Sequence, residues 1–197
     1  MKAIQFIALA ATFSLLSVAC SDKKTTENTQ QATETVKAPT VSEQVTTLNN
    51  SADSAWHAII QLDSQKFANI KRLIEEISYC KKYDEKGVAK ALKLMAEIYS
   101  FQYTQDNLSD SLITLYDTKT DELIRYVRNL KSNTPEIIQH PLADQLENEI
   151  TEADNLLVTY RGNYDQAAIK YNSFLESNKE AIGANAAAKK RLFSIPA

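Results

Sequence analysis

Few side chains in this chain are of the types that do chemistry: two histidines, two cysteines and some short acidic runs in 197 residues. His57 follows Trp56 and His140 precedes Pro141. Neither belongs to a His-Glu-x-x-His or Glu-x-x-His set, the spacings that place metal ligands on one helix face. Glu75-Glu76 and the trio Glu147, Glu149 and Glu152 fit the solvated face of a helix better than a cation site. Serine and threonine are frequent, yet none stands in a Gly-x-Ser-x-Gly elbow or in a Ser-x-x-Lys set with its partner motifs. Cys80 lies beside Tyr79 and Lys81-Lys82; a lysine lowers a thiol pKa only when the thiol is accessible, and Cys80 reads as a buried, inert thiol. The expectation is therefore a protein without catalytic residues, metal or other cofactor.

The other cysteine has a more informative setting. Met1-Lys2 is followed by a nearly uninterrupted apolar stretch from Ala3 to Ala19, and Cys20 comes next. A positive start, a short apolar segment and small residues before a cut describe a secretory signal peptide over residues 1–19. The segment is shorter than the roughly 20 apolar residues that span a bilayer. Cys20 directly after it resembles the lipidation site of a bacterial lipoprotein, although Leu16 stands four residues before the cysteine rather than three. The expected partner is thus a membrane, held through lipid on Cys20, in the cell envelope. Ser21 rather than aspartate after the cysteine resembles the outer-membrane sorting pattern. Residues 20–44 then form a Thr/Gln/Lys-rich linker with too little apolar surface to order itself. As a coil it would reach roughly 25–30 Å. A net charge of −3 gives no basic face for nucleic acid.

Three glycines and four prolines are few for such a length. Phosphate-cradling loops and turn-rich β-folds both draw on glycine, so the scarcity points to long helices. Over residues 45–197 the apolar spacing agrees. Val45, Leu48, Ala52, Trp56, Ile59, Ile60, Phe67, Ile70, Leu73, Ile74 and Ile77 step by three and four, interrupted at Asp63 and Lys66, where the apolar face is expected to turn. A second helix is predicted from about Asp84 to Phe101, with Leu92 and Tyr99 on its apolar side. A third is predicted after an Asp106-Asn107 cap, carrying Leu115 inward. The last stripe is the longest: Leu142, Leu146, Ile150, Ala153, Leu157, Tyr160, Tyr164, Ala167, Tyr171 and Phe174. These elements predict an all-α fold, an elongated antiparallel bundle of about four helices, two of them long.

Tyrosine buries a ring while keeping its hydroxyl wet, which suits the margin of a slender bundle or the centre of an interface. Tyr160, Tyr164 and Tyr171, with Trp56, are the candidate interaction surface. Lys189-Lys190-Arg191 followed by Leu192-Phe193 either meets anionic lipid or packs back on the bundle.

Two segments resemble the LemA family. Trp56, Ile59, Ile70 and Leu73-Ile74-Glu75-Glu76-Ile77 follow the pattern of its first helix, and Lys82-Tyr83-Asp84 falls where it has Lys-His-Glu. Arg161, Tyr164-Asp165, Ala168 and Tyr171-Asn172 are similar to its Arg, Tyr-Asn and second Tyr-Asn, seven residues apart. Ile70-Lys71-Arg72 stands in place of the family's Ile-Pro-Asn, Tyr79 in place of a glycine and Asp165 in place of an asparagine. The resemblance implies a membrane-tethered antiparallel bundle and supplies no catalytic residue. The function expected is a non-enzymatic envelope lipoprotein that contacts another envelope protein or acts structurally. The alternative is a bundle that binds a small ligand or lipid between its helices.

Overall fold

The computed structural model describes residues 38–183 and 188–193. Cys20, the expected signal peptide and the linker as far as residue 37 lie outside the described residues. Most of those described are helical, with no strand among them.

Helix α1 runs over Val41–Ser78, 38 residues or about 57 Å at 1.5 Å per residue. It begins four residues before Val45, inside the segment expected to be linker. The cause is local: Thr40 Oγ1 accepts from the Glu43 amide at 3.3 Å while Glu43 Oε2 accepts from the Thr40 amide at 2.6 Å. This reciprocal Thr-x-x-Glu box satisfies two amides that a bare helix start would leave open. Helix α2, Glu85–Tyr99, is capped by Asp84, whose Oδ1 accepts from the Gly87 amide at 2.9 Å. A Cβ on Gly87 would lie 2.5 Å from both Asp84 Oδ2 and Leu130 Cδ2, so glycine lets this first turn sit tight against its neighbour.

Helix α3 covers Asp110–Ser132 and is capped by Ser109, not by Asp106-Asn107. Asn107 instead closes a turn by accepting from the Thr104 amide, and Leu108 is sunk into the core before the helix begins. A 3-10 turn at Pro135–Gln139 leads to α4, Pro141–Ser177, with proline in its first turn where the missing amide costs nothing. A short α5, Lys179–Ile182, ends at Gly183, whose φ of 67° favours glycine.

Helices α1 and α4 share the longest interface. Pairs between them run in opposite senses: Lys66 meets Asp154, Asn69 meets Glu149 and Glu76 meets His140. Against one half of this pair, α2 and α3 pack Val88, Ala91, Met95, Ile98, Tyr116, Leu123 and Val127 onto Phe67, Ile70, Leu73, Ile77, Leu146 and Ile150. The other half, around Ile59, Leu157, Tyr164 and Ala168, is covered by Leu192 and Phe193 of the C-terminal segment.

Several residues differ from their expected positions. Leu92, Tyr99 and Leu115 are exposed, although Tyr99 still meets the Phe67 ring with centroids 5.4 Å apart. On α4 the buried positions are Ala168 and Leu175 rather than Ala167 and Phe174. On that flank Ala168 packs in one cluster with Leu192 and Phe193 of the C-terminal segment. At Asp63 and Lys66 the apolar face of α1 does not turn away: both stay inward and are buried, as is Asn69.

Candidate functional site

The densest set of specific contacts surrounds residues 189–193, which lie in neither helix nor strand. Helix α4 holds their backbone. Asn172 Nδ2 donates to the Lys190 carbonyl and Asn172 Oδ1 accepts from the Lys190 amide, both at 2.8 Å. Two turns earlier, Tyr164 Oη donates to the Arg191 carbonyl at 2.8 Å and Asp165 Oδ1 accepts from the Phe193 amide at 2.8 Å. The side chains bind as well. Lys189 pairs with Glu176 at 2.7 Å, Lys190 with Asp53 of α1, and Arg191 Nη1 donates to the Leu108 carbonyl at 3.2 Å. The Lys190 ammonium also lies 5.7 Å from the Tyr171 ring centroid.

Phe193 is the anchor. Its ring stacks on Trp56 with centroids 5.6 Å apart and meets Tyr103 and Tyr164 edge-on at 5.2 and 5.7 Å. The Arg161 guanidinium lies 5.0 Å from the same ring. Helical geometry explains the arrangement: positions 161, 164, 165, 168, 171 and 172 recur at three and four and form one flank of α4. The α2–α3 connection contributes Tyr103 and closes over Tyr164 through Gln105.

From Arg161 a polar chain runs inward. Its two terminal nitrogens fork onto Asp117 at 2.7 Å each, and Nη2 also donates to Tyr103 Oη at 3.0 Å. Burial opposes the charge on Arg161, but its hydrogen bonds to Asp117 and the neighbouring Tyr103 outweigh this and hold its pKa above the ordinary value. Tyr103 packs edge-on against Tyr116, whose hydroxyl donates to Asp63. Asp63 lies 3.1 Å from Lys66, which also reaches Asp154 at 3.1 Å. Asn69 extends the polar seam by donating to Glu149 at 3.0 Å.

Burial pushes Tyr103 up to about 12, opposed by Arg161 and aided by Asp63 and Asp117. Burial likewise pushes Tyr164 up to about 12, opposed by its hydrogen bond with Gln105 and aided by Asp165 and Asp53. Unfolded tyrosine ionises near 10, so between about pH 10 and 12 the unfolded chain holds fewer protons than the folded one. Stability is therefore expected to be intact below about pH 10 and to fall as pH rises towards about 12. Urea midpoints measured across that range should fall less steeply in Tyr103→Phe than in the parent. Equal slopes would mean that this hydroxyl is solvated.

The expected site residues separate into two places. Trp56 and Tyr164 meet at 5.2 Å, and Tyr171 lies under Lys190. Tyr164 and Tyr171 are fully buried, so they form the floor beneath the C-terminal segment rather than an open surface. Tyr160 is half-buried against the cluster of Ile59 and Leu157 and also lines an open cleft of about 330 Å³ with Ala58, Gln61, Leu62 and Gln65. Leu192 and Phe193 pack back on the bundle. The sequence reading missed Tyr103, Asp117 and the Asp63–Lys66 pair as parts of this constellation. Only the spacing of Tyr164-Asp165 and Tyr171-Asn172 hinted at a shared task.

The remaining chemistry-bearing residues lie apart from this constellation. Burial pushes the Cys80 thiol up, with Glu136 and Glu76 adding to it. His57 is exposed on α1, and His140 Nδ1 lies 3.0 Å from Glu76. Glu147 pairs with Lys131 at 2.6 Å and with Arg128 at 3.3 Å. Among the described residues no group of His, Cys, Asp or Glu is arranged to hold a metal ion, and no helix is long and apolar enough to cross a membrane. The chain matches no protein-family model, no curated protein and no solved structure.

Proposed function

We propose that this chain is a lipid-anchored envelope protein whose LemA-like bundle works by contact with another envelope protein rather than by turnover. In this reading the α1–α4 pair with α2 and α3 forms an elongated antiparallel bundle of four main helices. Residues 1–19 direct export, Cys20 carries the lipid, and the outer membrane is the favoured location. One observation carries the contact role. The aromatic floor of Trp56, Tyr103 and Tyr164 is filled by polypeptide, and the polar groups around it bind backbone amides and carbonyls. Main-chain hydrogen bonds with one buried aromatic anchor are how proteins recognise extended peptides.

Two measurements test the two parts. Cys20→Ser is expected to abolish acyl labelling and release the chain from membranes. Unchanged membrane retention would sink the lipid-anchor reading. Crosslinking in intact membranes, followed by purification, is expected to recover a stoichiometric protein partner. A chain that crosslinks to nothing and co-purifies with a small apolar ligand would overturn the contact role.

A further inference from the structure

The groove that holds residues 189–193 makes its contacts in a form that does not depend on the segment being part of the same chain. Three side chains make four hydrogen bonds that read amides and carbonyls alone: Asn172 on Lys190, Tyr164 on Arg191 and Asp165 on Phe193. Its selectivity lies in two features. One is an acidic rim, Glu176 and Asp53, which meets Lys189 and Lys190. The other is the aromatic cage that receives Phe193. Past Phe193 the groove opens into a cleft of about 500 Å³ lined by Ile113, Val158 and Ile169. Val158 is 73 % and Ile169 48 % exposed.

The geometry points to a peptide site. The flank of α4 between Arg161 and Glu176, with Trp56 and the α2–α3 connection, takes an extended segment of a separate polypeptide in place of the chain's own residues 189–193. The charge complementarity sets the occupant's chemistry: consecutive basic residues, with an aromatic ring two positions after the last of them. The C-terminal segment then acts as a built-in competitor, and a partner must displace it to bind. This inference rests on the protein-contact reading and specifies where that contact is made.

The probe is a fluorescent peptide with the sequence of residues 188–193, titrated into the full-length chain in detergent and followed by anisotropy. Phe193→Ala loosens the resident segment, and this variant is expected to bind the peptide about tenfold more tightly than the parent, the scale of one aromatic anchor. Adding Asn172→Ala to that variant, or replacing the peptide's phenylalanine by alanine, is expected to lose about tenfold again. A second measurement needs no variant. In the parent chain saturated with unlabelled peptide, the Lys190 and Phe193 amides should exchange hydrogen faster, since Asn172 and Asp165 release them. Equal affinity of parent and Phe193→Ala, indifference to the peptide's phenylalanine, or unchanged exchange at both amides would each overturn the site. A parent chain that is dimeric with exchanged C-terminal segments would overturn the separate partner in favour of a second copy. None of these failures removes a partner found by crosslinking; they place its contact elsewhere on the bundle.

Discussion

Lys66→Met is expected to destabilise the protein by about 3–5 kcal/mol, the cost of leaving a buried charge without its partner. The Lys66 side chain is 2 % exposed and that of Asp63 5 %, with 3.1 Å between them. Methionine fills much the same volume, so little of the loss comes from packing. What remains is the Asp63 carboxylate, held by the Tyr116 hydroxyl alone among these partners and kept from water. Asp154 loses a partner too, but its side chain is 39 % exposed and water replaces the ammonium cheaply. The asymmetry gives the control. Asp63→Asn combined with Lys66→Met removes both charges and should recover most of the loss, because replacing a whole buried pair is often close to neutral. Urea unfolding of both single variants and the double variant measures this directly. A Lys66→Met variant within about 0.5 kcal/mol of the parent would show the pair to be solvated.

The same residues fix how α1 sits on α4. Lys66 must face Asp154 while Asn69 faces Glu149, one turn along each helix in opposite senses. Sliding α1 by a turn would strand a buried ammonium and a buried amide together. Apolar stripes tolerate such a slide far better, since one aliphatic contact resembles the next. Buried polar groups are known to set register in this way in helical assemblies.

The division between what the sequence displays and what it conceals follows the same physics. Helix α1 and helix α4 are legible because one face of each repeats at three and four over ten turns, a local property of the chain. The start of α1 was equally local, written in Thr40 and Glu43, but the polar linker composition masked it. The Asp63–Lys66 pair is of another kind. A polar residue inside an apolar stripe reads as a break, and the residues that satisfy it, Tyr116 and Asp154, lie 53 and 88 positions away. For residues 189–193, packing of Leu192 and Phe193 onto the bundle is one of the two readings the sequence offers, but the partners that hold the segment are concealed for the same reason. Five residues of basic and apolar character have no period, and their meaning lies in the carboxylate, amide and rings of α4 and α1.

Tyr164→Ala is expected to cost about 3–5 kcal/mol, the range for deleting a fully buried aromatic ring that leaves a cavity. Tyr164 is 0 % exposed and packs on Trp56 and Phe193. Its hydroxyl bridges two segments that do not otherwise share a helix, accepting from Gln105 and donating to the Arg191 carbonyl. Tyr164→Phe keeps the ring and removes only that bridge, so it should cost about 1–3 kcal/mol by leaving a carbonyl partly unsatisfied. The two effects separate in a double-mutant cycle with Phe193→Ala. If the ring's main task is to seat Phe193, the losses overlap and the cycle shows a coupling of about 0.5–3 kcal/mol. If the ring only fills the α1–α4 interface through Ile59 and Leu157, the losses add. A loss near zero for Tyr164→Ala itself would place the tyrosine on an exposed surface and remove the floor of the groove. The expected result is a large loss with strong coupling, because the Tyr164 and Phe193 rings meet edge-on at 5.7 Å and the Tyr164 hydroxyl holds the Arg191 carbonyl of the same segment.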